Sequence, residues 1–492
     1  TCYSVLFYHL TELLNSAHEF VDASALAEEM VSVCSSSPDA HFLRNLFEHL
    51  LTSGHVEFLL RIESPTLENW IAHEKKDTFL LAQYYTLHNL DWLSGQIMWK
   101  RATTVEEKVP LAERIDCLTR ACNAYQSAQT KATNSSSAVS LVGAITQAGT
   151  PQVRQPPVEE INRLKSQADE QLDIASLQSR LLDAILASDN LVNNVGASEL
   201  DALKTSLVPV SDLYNDYAGP LALYDMCLLI LRTCHENDTA SIAKLWKSIL
   251  CDYIIPCRVR DLSAQTFLAE LKRGSMLEEE DIVLDESAGS AYAKLPLFED
   301  GGWVPKLKDR VLGLGKDLYG QGADYTFPLD LIVRTLEGLR RVQASSETSS
   351  LIDNIQASWP VQLFIDIGVP YPVILEVYDS LIHRESNGAN DTDAWLRNMA
   401  NVIGVLRIWV SRTNRTLAGS GPMQFANGGI GNKEQEDASA QLFRAVSSGG
   451  LLHQIDSYKA FLEACVGGDA DVIASLSSSL VDCEDIIRQS FL

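Results

Sequence analysis

Apolar residues in this chain recur at intervals of three and four. Leu111, Ile115, Leu118, Cys122 and Tyr125 form one such stripe, and Leu223, Met226, Cys227, Ile230 and Leu231 form a second. Ile374, Val377, Tyr378, Leu381 and Ile382 form a third; Met399, Val402, Ile403, Leu406 and Val410 form a fourth. Residues three and four apart share one face of an α-helix, whereas a half-buried strand needs strict alternation. Convincing alternation with hairpin turns is absent, so the spacing predicts an all-α chain. Start signals agree. Ser64-Pro65 sets a capping hydroxyl before a first-turn proline, with Glu68 near the positive end of the helix dipole. Tyr371-Pro372 repeats the Pro-first arrangement, and Asp391 and Thr392 can cap the helix that carries Trp395.

Helical segments pair along the whole chain, among them 38–53, 65–75, 77–87, 89–102, 110–131, 157–188, 209–217, 348–358 and 371–385. Tetratricopeptide, ankyrin and leucine-rich patterns do not fit. A chain of 492 residues outgrows one ordinary core. Stacked helix pairs escape that limit, because each pair needs only an apolar face against its neighbour. The expected fold is therefore an irregular α-solenoid of stacked helix pairs, with two or three compact helical domains as the alternative. Composition shifts divide it: a first part of the solenoid over 1–131, a flexible Ser/Thr/Ala-rich loop over 132–156, a central part over 157–279, an acidic, Gly-containing loop over 280–302, a C-terminal part over 303–411, a Gly-rich loop over 412–437 and terminal helices over 438–492.

The net charge of −26 argues against binding nucleic acid or anionic lipid, both of which call for Lys and Arg, and it suits basic partners. The best apolar run, Leu221 to Leu231, is broken by Asp225, so no membrane span is expected. Ten scattered cysteines imply no disulfide framework and favour a reducing compartment. The sequons at Asn134, Asn237, Asn390 and Asn414 read as chance occurrences. The chain opens at Thr1 directly inside a helical pattern, as expected of a piece of a longer protein.

Catalytic motifs are incomplete. Gly313-Leu314-Gly315-Lys316 lacks the upstream glycine and the following Ser/Thr of a phosphate loop. Cys117/Cys122 and Cys251/Cys257 lack the matching second pair of a zinc site, and His73-Glu74 lacks a second His one turn on. Cys234 and His235 are adjacent, which points their side chains apart on a helix. The acidic run from Glu278 to Glu286 lacks the alternation and central Gly of a calcium loop. No catalytic, cofactor or metal residue is assigned, and no enzyme is expected. Tyr84, Tyr85, Trp92 and Trp99 are dense for one short stretch. Two readings stay open: core packing, or a groove receiving a partner's apolar anchors.

Several stretches carry a family resemblance. Leu213-Tyr214-Asn215-Asp216-Tyr217-Ala218-Gly219-Pro220-Leu221, Cys227 to Leu231, His235-Glu236-Asn237-Asp238 and Leu245-Trp246-Lys247-Ser248-Ile249 resemble the C-terminal helical region of the large non-repetitive inner-ring nucleoporins, the 155/170 type. Ser64-Pro65-Thr66-Leu67-Glu68, Leu80-Leu81-Ala82-Gln83-Tyr84-Tyr85, Leu111 to Tyr125 with Arg114, Phe327-Pro328-Leu329 with Thr335-Leu336-Glu337, and Gly368-Val369-Pro370 with Tyr378-Asp379 are similar to further pieces, in the same order. The resemblance covers roughly residues 60–410. It implies a structural scaffold of the nuclear pore complex inner ring at the nuclear envelope, supporting nucleocytoplasmic transport. The implied partners are linear segments of phenylalanine–glycine-type linker nucleoporins and other inner-ring nucleoporins. Such proteins join an N-terminal propeller to the solenoid; membrane contact belongs to the propeller and is not expected of this chain. The dipeptide Phe-Gly occurs nowhere in it, so the chain is not itself a phenylalanine–glycine repeat. The alternative functions are a transport-receptor-like or coat-like solenoid binding basic peptides, and a helical enzyme.

Overall fold

The computed structural model describes residues 2–16, 21–105, 108–138, 156–257, 303–320, 324–346, 358–388, 392–419, 433–464 and 470–491. Every regular element among them is helical. The chain divides into two compact units, Thr1–Leu213 and Tyr214–Leu492.

The first unit runs α1 (Cys2–Ser16), α2 (Val21–Ser35), α3 (Ala40–Thr52), α4 (Val56–Leu60), α5 (Pro65–Asn69), a π-helical turn (Trp70–Lys75), α6 (Thr78–Leu87), α7 (Asp91–Thr103), α8 (Leu111–Ala138), α9 (Val158–Leu186), α10 (Asp189–Asn194), α11 (Ala197–Thr205) and α12 (Val210–Asp212). Caps set the starts. Asp39 accepts from the His41 and Phe42 amides, Asp77 from Phe79 and Leu80, and Ser64 from Thr66 ahead of Pro65. One cluster packs Leu10, Leu14, Phe47, Leu50, Trp70 and Leu81 from α1 to α6. A second packs Met98, Ala102, Leu118, Ala121, Tyr125 and Ala175 from α7, α8 and α9. Gly95 is required there, because a Cβ would sit 2.6 Å from the Tyr125 ring.

Polar joints tie the long helices to shorter ones. Arg114 of α8 is buried and donates to the carbonyls of Val109 (3.2 Å), Thr205 (2.8 Å) and Ala102. Gln178 of α9 donates to Leu203 and Ser206 carbonyls, both at 2.7 Å, and accepts from the Val208 amide at 2.9 Å. The carbonyls at a helix C-terminus have no partner within their own helix, and these two side chains supply one at Ala102, Leu203 and Thr205. Of the loop expected over 132–156, residues 132–138 are the end of α8, while 139–155 lies outside the described residues. Thr130 and Thr133 return their hydroxyls to the Gln126 and Gln129 carbonyls, so these polar residues extend the helix rather than ending it.

The second unit opens with a π-helical turn (Leu213–Ala218) that begins at the last residue of the first unit; then come α13 (Tyr224–Thr233), α14 (Thr239–Cys257), α15 (Trp303–Leu318), a 3₁₀ turn (Asp324–Thr326), α16 (Leu329–Ser346), α17 (Trp359–Ile367), α18 (Tyr371–Gly388), α19 (Thr392–Gly419), α20 (Lys433–Ser447), α21 (Gly450–Ala464) and α22 (Ala470–Phe491). Trp246 is fully buried, donates its indole N–H to the Thr326 carbonyl at 2.9 Å and meets Phe327 edge-on at 5.2 Å. Arg310 and Asp225 join α15 to α13 through two hydrogen bonds of 3.0 and 2.7 Å. Trp409 donates to the Ala438 carbonyl at 2.9 Å and stacks on Tyr371.

Glu337 of α16 is the hub. Only 2% of it is exposed, yet its carboxylate has four donors. Oε1 accepts from Ser358 Oγ (2.9 Å), Tyr378 Oη (2.7 Å) and Asn401 Nδ2 (3.0 Å); Oε2 accepts from Arg340 Nε at 2.8 Å. A buried carboxylate is costly unless its lone pairs are matched, and here α16, the start of α17, α18 and α19 all contribute. Burial, and then the Glu337 charge, push the Tyr378 phenol well above its usual pKa. For Arg340, burial acts downward, but the Glu337 charge and hydrogen bond outweigh it and the net shift is upward.

Of the helix expected over 348–358, residues 348–357 lie outside the described residues, and the next described helix, α17, begins at Trp359. Ser358 and Pro360 mark its start, and Gly368, at φ +96°, ends it. Of the Gly-rich loop expected over 412–437, residues 412–419 belong to α19 and 433–437 to α20; residues 420–432 and the acidic stretch 280–302 lie outside the described residues.

Candidate functional site: an open groove in the first unit

Helix α6 is a wall between the two clusters of the first unit. Leu80, Leu81, Tyr84 and Tyr85 face one, and Ala82, with Phe79 beside it, faces the other. A third face, built by Phe79, Ala82, Gln83 and Thr86 at helical spacing, borders an open groove of about 560 Å³. Asp91, Ser94 and Met98 of α7 line it at positions i, i+3 and i+7, and Arg120, Asn123, Ala124 and Ser127 of α8 repeat the pattern. Val56, Glu57 and Leu60 of α4 close the remaining side.

The groove has an apolar floor and polar edges. Leu60, Ala82 and Met98 are buried core residues that show one side to it, and Leu87 at its rim is 53% exposed. Asp91, almost wholly buried, is held by Lys131 Nζ at 2.6 Å and accepts from Ser127 Oγ at 3.1 Å. Thr86 Oγ1 donates to Ser94 Oγ at 3.1 Å. The Arg120 guanidinium lies 5.2 Å above the Phe79 ring and is paired with Asp116 at 2.9 Å. Asp91 and the Thr86, Ser94 and Ser127 hydroxyls are therefore already committed to partners.

The four aromatics singled out in the sequence divide between two environments. Tyr84 and Tyr85 are buried in the first cluster. Tyr85 donates to Glu68 Oε1 at 2.5 Å, and Tyr84 packs its ring against His88, whose Nε2 bonds the Leu60 carbonyl at 2.8 Å. Burial, with Glu68 adding to it, raises the pKa of both phenols. Trp92 and Trp99 of α7 are half-buried, with Trp99 against the second cluster. None of the four lines the groove. The lining residues come from four helices, so only the i, i+3, i+4, i+7 pattern on α6 and α8 could have pointed to them.

The other chemical candidates read as structure. Gly313 and Gly315 lie inside α15, and a Cβ on Gly315 would collide with Ile367, so that glycine serves close packing against α17. Cys117 and Cys122 are buried in the second cluster; burial raises both thiols, Cys122 to about 12. Cys234 is exposed, while the side chains of Cys251 and Cys257 and the run 278–286 lie outside the described residues. Among the described residues, no three His, Cys, Asp or Glu side chains lie where they could hold a metal, and no helix is long and apolar enough to cross a membrane.

Residues 1–430 match the model of the non-repetitive/WGA-negative nucleoporin C-terminal family. The chain belongs to this nucleoporin family. Nucleoporin NUP170 of Chaetomium thermophilum is 23% identical over 493 residues, covering 96% of this chain and 31% of the relative. Nuclear pore complex protein Nup154 of Drosophila melanogaster is 26% identical over 214 residues, covering 42% of this chain and 14% of the relative. The nucleoporin chain thus spans about a third or less of the length of these relatives. Two solved structures are similar to it. One is the Chaetomium thermophilum Nup170 C-terminal domain in complex with Nup145N, with a TM-score of 0.58 at 17% identity, covering 94% of this chain and 73% of that one. The other is that domain alone, with a TM-score of 0.54 at 19% identity, covering 95% and 75%. The likeness shows the fold, an irregular α-solenoid, as the helical periodicity and the nucleoporin resemblance led one to expect.

Proposed function

We propose that this chain is a scaffold component of the nuclear pore complex inner ring, and that its helical surface holds short linear segments of linker nucleoporins. Family membership over residues 1–430 carries the reading, and the complex of the Nup170 C-terminal domain with Nup145N supports the mode of binding. A chain built of stacked helices, with side-chain donors spent on helix ends and on one buried carboxylate, is suited to bearing load and presenting grooves. Other inner-ring nucleoporins are the remaining partners, and the chemistry is that of docking, not catalysis. In this reading Tyr84 and Tyr85 act from beneath, holding α6 in place, while the half-buried Trp92 and Trp99 offer apolar surface on α7.

The test is fluorescence anisotropy with short labelled peptides tiling the linker nucleoporins of the source organism. One tile is expected to bind saturably, and a fluorescent fusion of the chain is expected at the nuclear rim. Binding by no tile would overturn the proposal.

A further inference from the structure

We infer that the groove between α4, α6, α7 and α8 seats an extended peptide segment that carries an apolar anchor and a basic residue. The inference rests on the scaffold reading and adds to it a location and a chemistry. Three observations carry it. First, the groove, at about 560 Å³, lies within the range of about 300–1,000 Å³ typical of ligand-burying clefts, and Leu60, Phe79 and Met98 give it an apolar base. Second, Gln83 of α6 and Asn123 of α8 stand on opposite walls, both exposed, and neither has a side-chain hydrogen bond among the described residues. A carboxamide offers a donor and an acceptor together, which is what an extended backbone lacks partners for; a helix has already satisfied its own. Third, the charges leave one acid over. Arg120 is occupied by Asp116 and Asp91 by Lys131, whereas Glu57 is exposed on the groove's edge with no ion pair among the described residues. A Lys or Arg on the segment completes that edge, in keeping with the chain's net charge of −26.

The experiment repeats the anisotropy titration with the tightest-binding tile and three variants. Gln83→Ala/Asn123→Ala changes only exposed side chains and is expected to weaken binding about tenfold, from two lost hydrogen bonds. Ala124→Trp fills the groove from the α8 wall and is expected to abolish saturable binding; its folding is checked by thermal melting. Glu57→Gln is expected to weaken binding about threefold and to flatten its salt dependence. If a tile binds wild type and the double variant holds it equally well, the seat lies elsewhere and this inference falls while the scaffold reading stands. A tile that turns helical on binding, seen by circular dichroism, overturns the extended-segment chemistry. If no tile binds wild type, segment capture itself falls, and this inference with it.

Discussion

Two sets of joints, one in each unit, bury polar groups between helices with different chemistry. At the Arg114 and Gln178 joints of the first unit the acceptors are backbone carbonyls, at Ala102, Val109, Leu203, Thr205 and Ser206, and the donors stand on long helices. At the Glu337 hub of the second unit the acceptor is a side-chain carboxylate, and its donors come from four elements. The difference lies in what remains when a joint breaks. A carbonyl near a helix end is neutral and can recover water by fraying of the last turn. A carboxylate or guanidinium left alone in a core has no such recourse, because its desolvation is not offset by any local rearrangement.

The largest expected effect follows from that asymmetry. Glu337→Gln keeps the shape but removes the charge and turns one acceptor into a donor facing other donors. It should cost about 4 kcal/mol in urea denaturation followed by tryptophan fluorescence. A loss below about 1 kcal/mol would show that the carboxylate is not what ties the four elements together. Arg114→Met keeps the aliphatic stem and orphans three carbonyls, with an expected loss of about 3 kcal/mol in the same assay. If it costs more than Glu337→Gln, the contrast between the units fails.

These joints bear on what the sequence made legible. Apolar spacing located most of the helices, because each buries one face against its neighbours. It could not separate α4 from the turn before it, since five residues, Val56–Leu60, are too few to show a period. It passed over α17, where Ser358-Trp359-Pro360 is a start signal of the kind read correctly at Ser64-Pro65. The resemblance pieces prove to be where helices are joined: Glu68 with Tyr85, Arg114, Trp246 with Phe327, and Glu337 with Tyr378. Their buried partners lie up to 80 or more residues away, at Thr326 for Trp246 and Thr205 for Arg114, so no local pattern distinguishes Glu337 from a solvated glutamate on a helix face. The groove was illegible for the same reason: four helices supply it, and of the four aromatics that drew attention only Tyr84 and Tyr85 pack in the core behind α6.

The smallest effects compare two phenol–carboxylate bonds, one in each unit. Tyr378→Phe removes a donor to a fully buried charge and should cost about 2 kcal/mol; Tyr85→Phe removes one to the half-buried Glu68 and should cost about 1 kcal/mol. The pH dependence sharpens the pair. Both phenols have their pKa raised in the folded state, foremost by burial, so the folded chain holds these protons more tightly than the unfolded chain does. That contribution is complete below the unfolded value near 10 and is lost as pH rises through the folded values. The deficit of Tyr378→Phe relative to wild type should therefore be constant from pH 7 to about 9 and shrink above pH 10, because wild type alone then carries the cost of a buried phenol whose unfolded counterpart is ionised. Denaturation midpoints at stepped alkaline pH, read beside tyrosinate absorbance, follow both. A deficit that stays fixed through pH 11 would mean that Tyr378 ionises as an ordinary phenol, and that the Glu337 hub is open to water.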